Sequence, residues 1–256
     1  MECYLTAKSG YGLTETEIGL LEEVDRLFLR QVFNVAGSCP TEALYLELGC
    51  VPIGIVIKSR RINYLHHLST RNTNEMIYNF FMAQWKHPAR RNEWTEQTKT
   101  DLEEFGIDVD LHWITSKSKL VFKKIVKTQA RELALQNLLM KKEHHSKMIN
   151  LSYTSLEMQE YLMDPKISIN QAKTIFRIRT RMEKFGENFK CGQPTKPCPV
   201  CQESTDTQSH SFQCKVIREN IEVHGKYLEI FNFKIGKELA TTVENIVKFR
   251  ENYKEN

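Results

Sequence analysis

The chain has 256 residues, 41% of them hydrophobic and 27% charged, with a formal net charge of +4. That is enough for one large domain or two to three small ones, and no apolar run approaches the ~18 residues of a membrane span. The first 20 residues carry neither a basic n-region nor an apolar h-region, which predicts an intracellular protein, nuclear or cytoplasmic, and not a secreted one.

Few Gly (11) and Pro (7) favour long helices over a turn-rich all-β chain. Thr14-x-x-Glu17 is a capping-box signature. Behind it Ile18, Leu21, Val24, Phe28 and Val32, with Leu20 and Leu27, recur at helical spacing and predict a helix over 15–34. Ser38-Cys39-Pro40 starts a short helix that Gly49 ends. Pro52 opens the next helix, running to Leu68; its β-branched start makes a strand over 51–57 the competing expectation. Thr73 or Asn74 caps a helix to Lys86, and 92–105 form another, ended by Gly106. Residues 107–113 alternate and predict an extended link. Ser116 or Ser118 starts the longest helix, to about 147. Short helices follow over 155–163 and 167–182, then a polar linker over 186–196 and a helical pattern over 215–256.

Charge is segregated along this order. Residues 1–50 carry three Lys/Arg against eight Asp/Glu, whereas 116–148 carry nine against two. On the longest helix Lys119, Lys123, Lys124, Lys127, Arg131, Lys141 and Lys142 fall within an arc of about 140°. Such a face suits phosphate contact, since Lys is a flexible point charge that reads no base sequence. It equally suits a solvated face of a helix docked on a core. Lys58, Arg60 and Arg61 lie near Tyr64, His66 and His67, and Arg177, Arg179 and Arg181 stand at alternate positions that do not share one helical face.

The most definite chemistry is at 198–214, where Cys198, Cys201, His210 and Cys214 follow the spacing C-x2-C-x8-H-x3-C. Two thiols on one turn and a His and a Cys four residues apart can close four ligands around a tetrahedral Zn²⁺. With every position filled by protein, the site is structural. Cys191 and His224 flank it as alternative ligands. Metal-type spacing among seven cysteines predicts a reducing compartment, with free thiols at Cys3, Cys39 and Cys50. The pairs His66-His67 and His144-His145 read as surface histidines, because helical neighbours point about 100° apart. No phosphate-loop, dinucleotide, nucleophile-elbow or H-E-x-x-H motif is present, nor an Asp-Asp pair. No catalytic residues are assigned.

Several stretches together resemble a known family. Glu22-Glu23-Val24-Asp25-Arg26-Leu27-Phe28-Leu29-Arg30 leads to Ala43-Leu44-Tyr45-Leu46-Glu47-Leu48-Gly49-Cys50-Val51-Pro52-Ile53, then Arg60-Arg61-Ile62-Asn63-Tyr64-Leu65-His66 and Phe80-Phe81-Met82-Ala83-Gln84. This resembles the region after the polymerase palm in reverse transcriptases of non-LTR retrotransposons. Arg177-Ile178-Arg179-Thr180-Arg181-Met182 followed by the Cys/His element is similar to the C-terminal part of the same polyproteins. The resemblance implies a mainly α fold: a thumb-like helical bundle over 1–90, a basic helical linker domain over 91–185, and a CCHC zinc knuckle with C-terminal helices over 186–256. It implies DNA or RNA as partner, whether element RNA, target DNA or a hybrid duplex, and a missing palm domain packing on residues 1–50. The family's catalytic aspartates would lie upstream, so a fragment without polymerase activity of its own is expected. The competing expectation is a vestigial or protein-interaction helical module with a purely structural zinc site.

Overall fold

A computed structural model describes residues 13–86, 94–189, 196–232 and 234–254. The fold is mainly α, as the periodicity requires, with no strand among the described residues. Two compact units interleave in sequence: unit 1 takes the chain up to Arg26 and Val51–Asn137, and unit 2 takes Leu27–Cys50 and Leu138–Asn256. This divides the chain differently from three consecutive segments.

Helix α1 (Glu15–Phe33), which belongs to unit 1 up to Arg26 and to unit 2 from Leu27, begins on the expected capping box: the Glu17 backbone N–H donates to Thr14 Oγ1 at 3.3 Å, and the Thr14 N–H to Glu17 Oε2 at 3.0 Å. Its buried Ile18 packs with Leu13 and Ile57. The expected apolar stripe divides, however: Leu20, Val24, Leu27, Phe28 and Val32 are exposed, while Leu29 and Phe33 are buried. Helix α3 (Ile53–Ser69) settles the ambiguity at 51–57. Pro52 sits at its N-cap, and burial of Ile55, Ile57, Ile62 and Leu65 at helical spacing outweighs β propensity. Gly54 lets α1 lie close, since a Cβ there would stand 2.6 Å from Glu22 Oε1.

Helices α4 (Met76–Lys86) and α5 (Trp94–Glu104) pack on α3. The α3–α5 contact is polar: Arg61 Nε is 3.0 Å from Asp101 Oδ2, both side chains being nearly inaccessible, and Lys58 Nζ is 2.5 Å from Glu104 Oε2. The stretch expected to be an extended link instead ends in the short helix α6 (Leu111–Thr115), because the Asp110 carboxylate caps the His112 and Trp113 N–H groups. Helix α7 (Lys119–Lys142) buries Phe122, Val126, Ala130 and Ala134, one residue per turn.

Unit 2 is built around α2 (Thr41–Leu48), whose Ala43, Leu44, Tyr45, Leu46 and Glu47 are all buried. Around it lie α8 (Glu160–Met163), α9 (Ile169–Arg179), α10 (Gln208–Gln213), α11 (Lys215–Asn220) and α12 (Lys237–Lys254). Helices α9 and α12 form the main pair, and Phe33 stacks on Phe176 with centroids 3.8 Å apart. Helix α9 opens on a Ser168/Gln171 capping box and stops at Arg179, short of the expected Met182, since Arg181 takes a left-handed φ of 53°.

At the end of α2, Gly49 has φ +61°, and a Cβ there would lie 2.3 Å from the Met158 backbone nitrogen. The next strand-like step, Gln159 N–H to Glu47 carbonyl at 3.0 Å, depends on that approach. Gly49→Ala therefore combines a disfavoured φ with a backbone clash. It is expected to destabilise the chain by roughly 2–4 kcal/mol, read as a lower urea midpoint at unchanged slope.

Candidate metal centre

Cys198, Cys201, His210 and Cys214 come together, each offering one ligand atom, all within 4.8 Å of one another. They are close enough to bind one metal ion. Local chemistry explains the convergence. The Cys198 N–H donates to the Ser204 carbonyl at 2.6 Å and the Gln202 N–H to the Cys198 carbonyl at 2.9 Å, with Gln202 at φ 59°. These bonds fold Cys198–Cys201 into one tight turn. Thr207 caps α10, its side chain accepting from the His210 N–H at 2.9 Å, and Cys214 closes the same helix one turn later. His210 and Cys214 thus share a face, with His210 Nε2 3.3 Å from Cys201 Sγ.

The donor set fits an ion. Three thiols and one imidazole form a soft, four-donor group of the composition used in closed tetrahedral sites. Cys198 and Cys214 are buried, while Cys201 and His210 are half-buried. Burial pushes the Cys214 thiol up to about 11, the nearby Cys198 and Cys201 adding to it. At Cys201 burial acts upward too, but N–H donors of Glu203 and Ser204, then His210, outweigh it and bring the thiol down to about 7. One thiol of the set is therefore ready to ionise near neutral pH. An ion would hold the turn and α10 together through all four side chains, and no open position for substrate is needed for that role.

The element is not an isolated knuckle. The carboxylate of Asp206, between the two ligand pairs, is held from two sides. Arg250 of α12 donates to its Oδ1 at 2.6 Å and to Ser211 Oγ at 3.3 Å. The Gly186 N–H donates to its Oδ2 at 2.8 Å. Arg250 also lies over Phe185, 4.2 Å from the ring centroid. Sequence reasoning missed this clamp, which joins residues more than 40 positions apart; the only local signal was an acid inside the ligand loop. His224 stands outside the cluster, beside Glu222 at 3.5 Å, and Cys191 lies outside the described residues.

The cations proposed from sequence for nucleic acid fall into two groups. Lys119, Lys123, Lys124 and Lys127 are exposed on α7, with no carboxylate in ion-pair range among the described residues, and Arg131 is half-buried. The others are engaged within the fold or partly covered. Lys58 pairs with Glu104, Arg61 is buried against Asp101, and Arg60 is half-buried. Arg177 binds Glu183 at 2.7 Å, Arg179 is buried against Glu47, and Arg181 is half-buried. The arginine triplet does not form one surface. His66 corrects the surface reading: it is buried, because its ring stacks on Phe122 and its Nε2 reaches the Lys117 carbonyl oxygen at 2.9 Å. Cys39 is a buried free thiol, pushed up to about 12 by burial, and so inert as a nucleophile.

No protein-family model, curated protein or solved structure matches this chain. No described helix is long and apolar enough to cross a membrane.

Proposed function

We propose that the chain is a nucleic-acid-binding C-terminal region of a non-LTR retrotransposon reverse transcriptase, without the polymerase active site, and that its Cys/His centre holds a structural Zn²⁺. The observation that carries the proposal is the closed Cys198–Cys201–His210–Cys214 cluster, standing after basic helices in the order expected from the resemblance. The exposed lysines of α7 supply the charge that a phosphate backbone requires. Affinity then comes mainly from counterion release and falls steeply with salt. A labelled single strand or RNA–DNA hybrid is expected to bind at low ionic strength, with log K falling linearly in log salt. Absence of any salt-sensitive binding would refute the nucleic-acid assignment.

A second reading is favoured by one feature. Leu20, Val24, Leu27 and Phe28 of α1 are more than half exposed, and such apolar side chains on one helix mark protein contact. In that reading the chain is a protein-interaction module with zinc as a staple only. A monodisperse monomer across the micromolar range that melts cooperatively would argue against a missing protein partner for α1.

A further inference from the structure

The end of α3 and the start of α7 are pinned together in unit 1. The buried His66 makes the joint, through its stack on Phe122 (centroids 4.7 Å apart) and its contact with the Lys117 carbonyl. One residue on, His67 is exposed, and Arg71 donates to its Nε2 at 2.8 Å. The charged and titratable groups facing His67 are Arg71 and His66 of its own segment, Lys119 of α7, and Glu75 just before α4. Glu75 is the one acid, and its 3.6 Å pair with Arg71 joins two exposed side chains, which holds Arg71 weakly. From Lys119 the row continues along α7 as Lys123 and Lys127, one helical turn or ~6 Å apart.

We infer that His67, Arg71, Lys119, Lys123 and Lys127 form one face that grips the phosphodiester backbone of a double-stranded nucleic acid. This rests on the nucleic-acid-binding proposal above and narrows it to one surface and one form of substrate. The duplex is favoured because the row, His67 apart, offers charge without an aromatic ring for stacking. Single strands are held by laying unpaired bases on exposed aromatic rings. The only aromatic residue of α7, Phe122, is fully buried, Tyr64 packs edge-on against Trp94, and Lys117 covers Trp113. Cations at turn-by-turn spacing read phosphates alone.

His67 gives the surface a distinguishing property. Partial burial, then Arg71 and Lys119, hold its imidazole below the ordinary 6.5, against the opposing Glu75. The free ring is therefore largely uncharged at neutral pH. A phosphate placed among these groups offsets Arg71 and Lys119, so the bound ring takes up a proton, and binding tightens as pH falls through the mildly acidic range.

The test is fluorescence anisotropy of the full chain with a labelled duplex. For K119Q/K123Q/K127Q the slope of log K against log salt is expected to flatten by about 2–3, near 0.9 per lost phosphate contact, with at least about tenfold weaker binding at low salt. H67Q should remove the pH dependence while leaving the neutral-pH salt slope unchanged. K248Q, at an exposed lysine of unit 2, should bind as the parent does. A triple variant with parental slope and affinity overturns the surface assignment, as does a single strand competing as well as a duplex of equal length. Full pH dependence in H67Q overturns the place of His67. If the parent itself shows no salt-sensitive binding, the broader nucleic-acid proposal fails, an outcome distinct from a shift of the surface elsewhere.

Discussion

Arg179→Ala is expected to destabilise the chain by about 3–5 kcal/mol, the cost of leaving a buried charge without its partner. Every guanidinium nitrogen is engaged. Nε donates to the Glu47 carboxylate at 3.0 Å, Nη2 donates to Gln159 Oε1 at 3.2 Å and lies in ion-pair contact 2.9 Å from Glu47 Oε1, and Nη1 donates to the Ile230 and Asn232 carbonyls at 2.6 and 2.9 Å. Glu47 is equally satisfied: Tyr153 donates to it at 2.5 Å and Tyr161 at 2.7 Å. Burial works against the charge on Arg179, but the Glu47 carboxylate outweighs it and holds the guanidinium protonated. Burial, with Glu47 beside them, raises both tyrosine hydroxyls well above their usual range, so they remain donors. Loss of Arg179 strands the carboxylate and frees two carbonyls at once. For a domain of ordinary stability, about 5–15 kcal/mol, that is a large share. Thermal melting by circular dichroism measures it. The double replacement Arg179→Met with Glu47→Leu separates the two meanings of the pair. If its role is stability alone, a packed apolar pair recovers much of the loss. If the melt stays far below the parent's, the network of tyrosine and carbonyl contacts matters beyond the ion pair.

Cys198→Ser is expected to reduce bound metal from about one ion per chain to well below one, measured by elemental analysis of the purified protein. Chelation of the parent should have a local effect, because the centre is only one of several ties in its region. Phe212 and Ile217 are buried beside it and Arg250 clamps Asp206. Hydrogen exchange should thus quicken over Cys198–Cys214 while α9 and α12 keep their protection. Wholesale melting of unit 2 on chelation would refute that division. Acid also releases the ion, and the sign follows from the thiols. Cys214, raised to about 11 when metal-free, must lose a proton on binding. Binding therefore releases protons, and affinity falls as pH falls. Metal retention that is flat from neutral to mildly acidic pH would argue against thiolate ligation.

Local hydrogen bonding was readable from the chain. The Thr14 cap involves a partner three residues away, so composition at a fixed offset finds it. The zinc-type spacing was readable for the same reason, as its turn and its helix each lie within a few residues. The helix over 53–69 was ambiguous because β-branched residues suit either state, and only burial against α1 and α5 decides. The boundary at Arg181 was missed because a non-glycine residue in the left-handed region leaves no sign in composition. The separation of 27–50 from the rest of the N-terminal half was also hidden. It follows from α2 being buried on every side, which a sequence register shows only as a short apolar helix.

By itself the sequence determined the helical class, the cap of the first helix, and the four side chains that converge at the candidate metal centre, because each depends on interactions within a few residues. Only the tertiary structure decided which charges are free. Arg179 and Lys123 look alike in sequence, but one meets Glu47, 132 positions away, in the core of unit 2, and the other stands exposed on α7. Pairing over such distances depends on how the chain folds back on itself, and desolvation then turns a surface-type residue into a structural one.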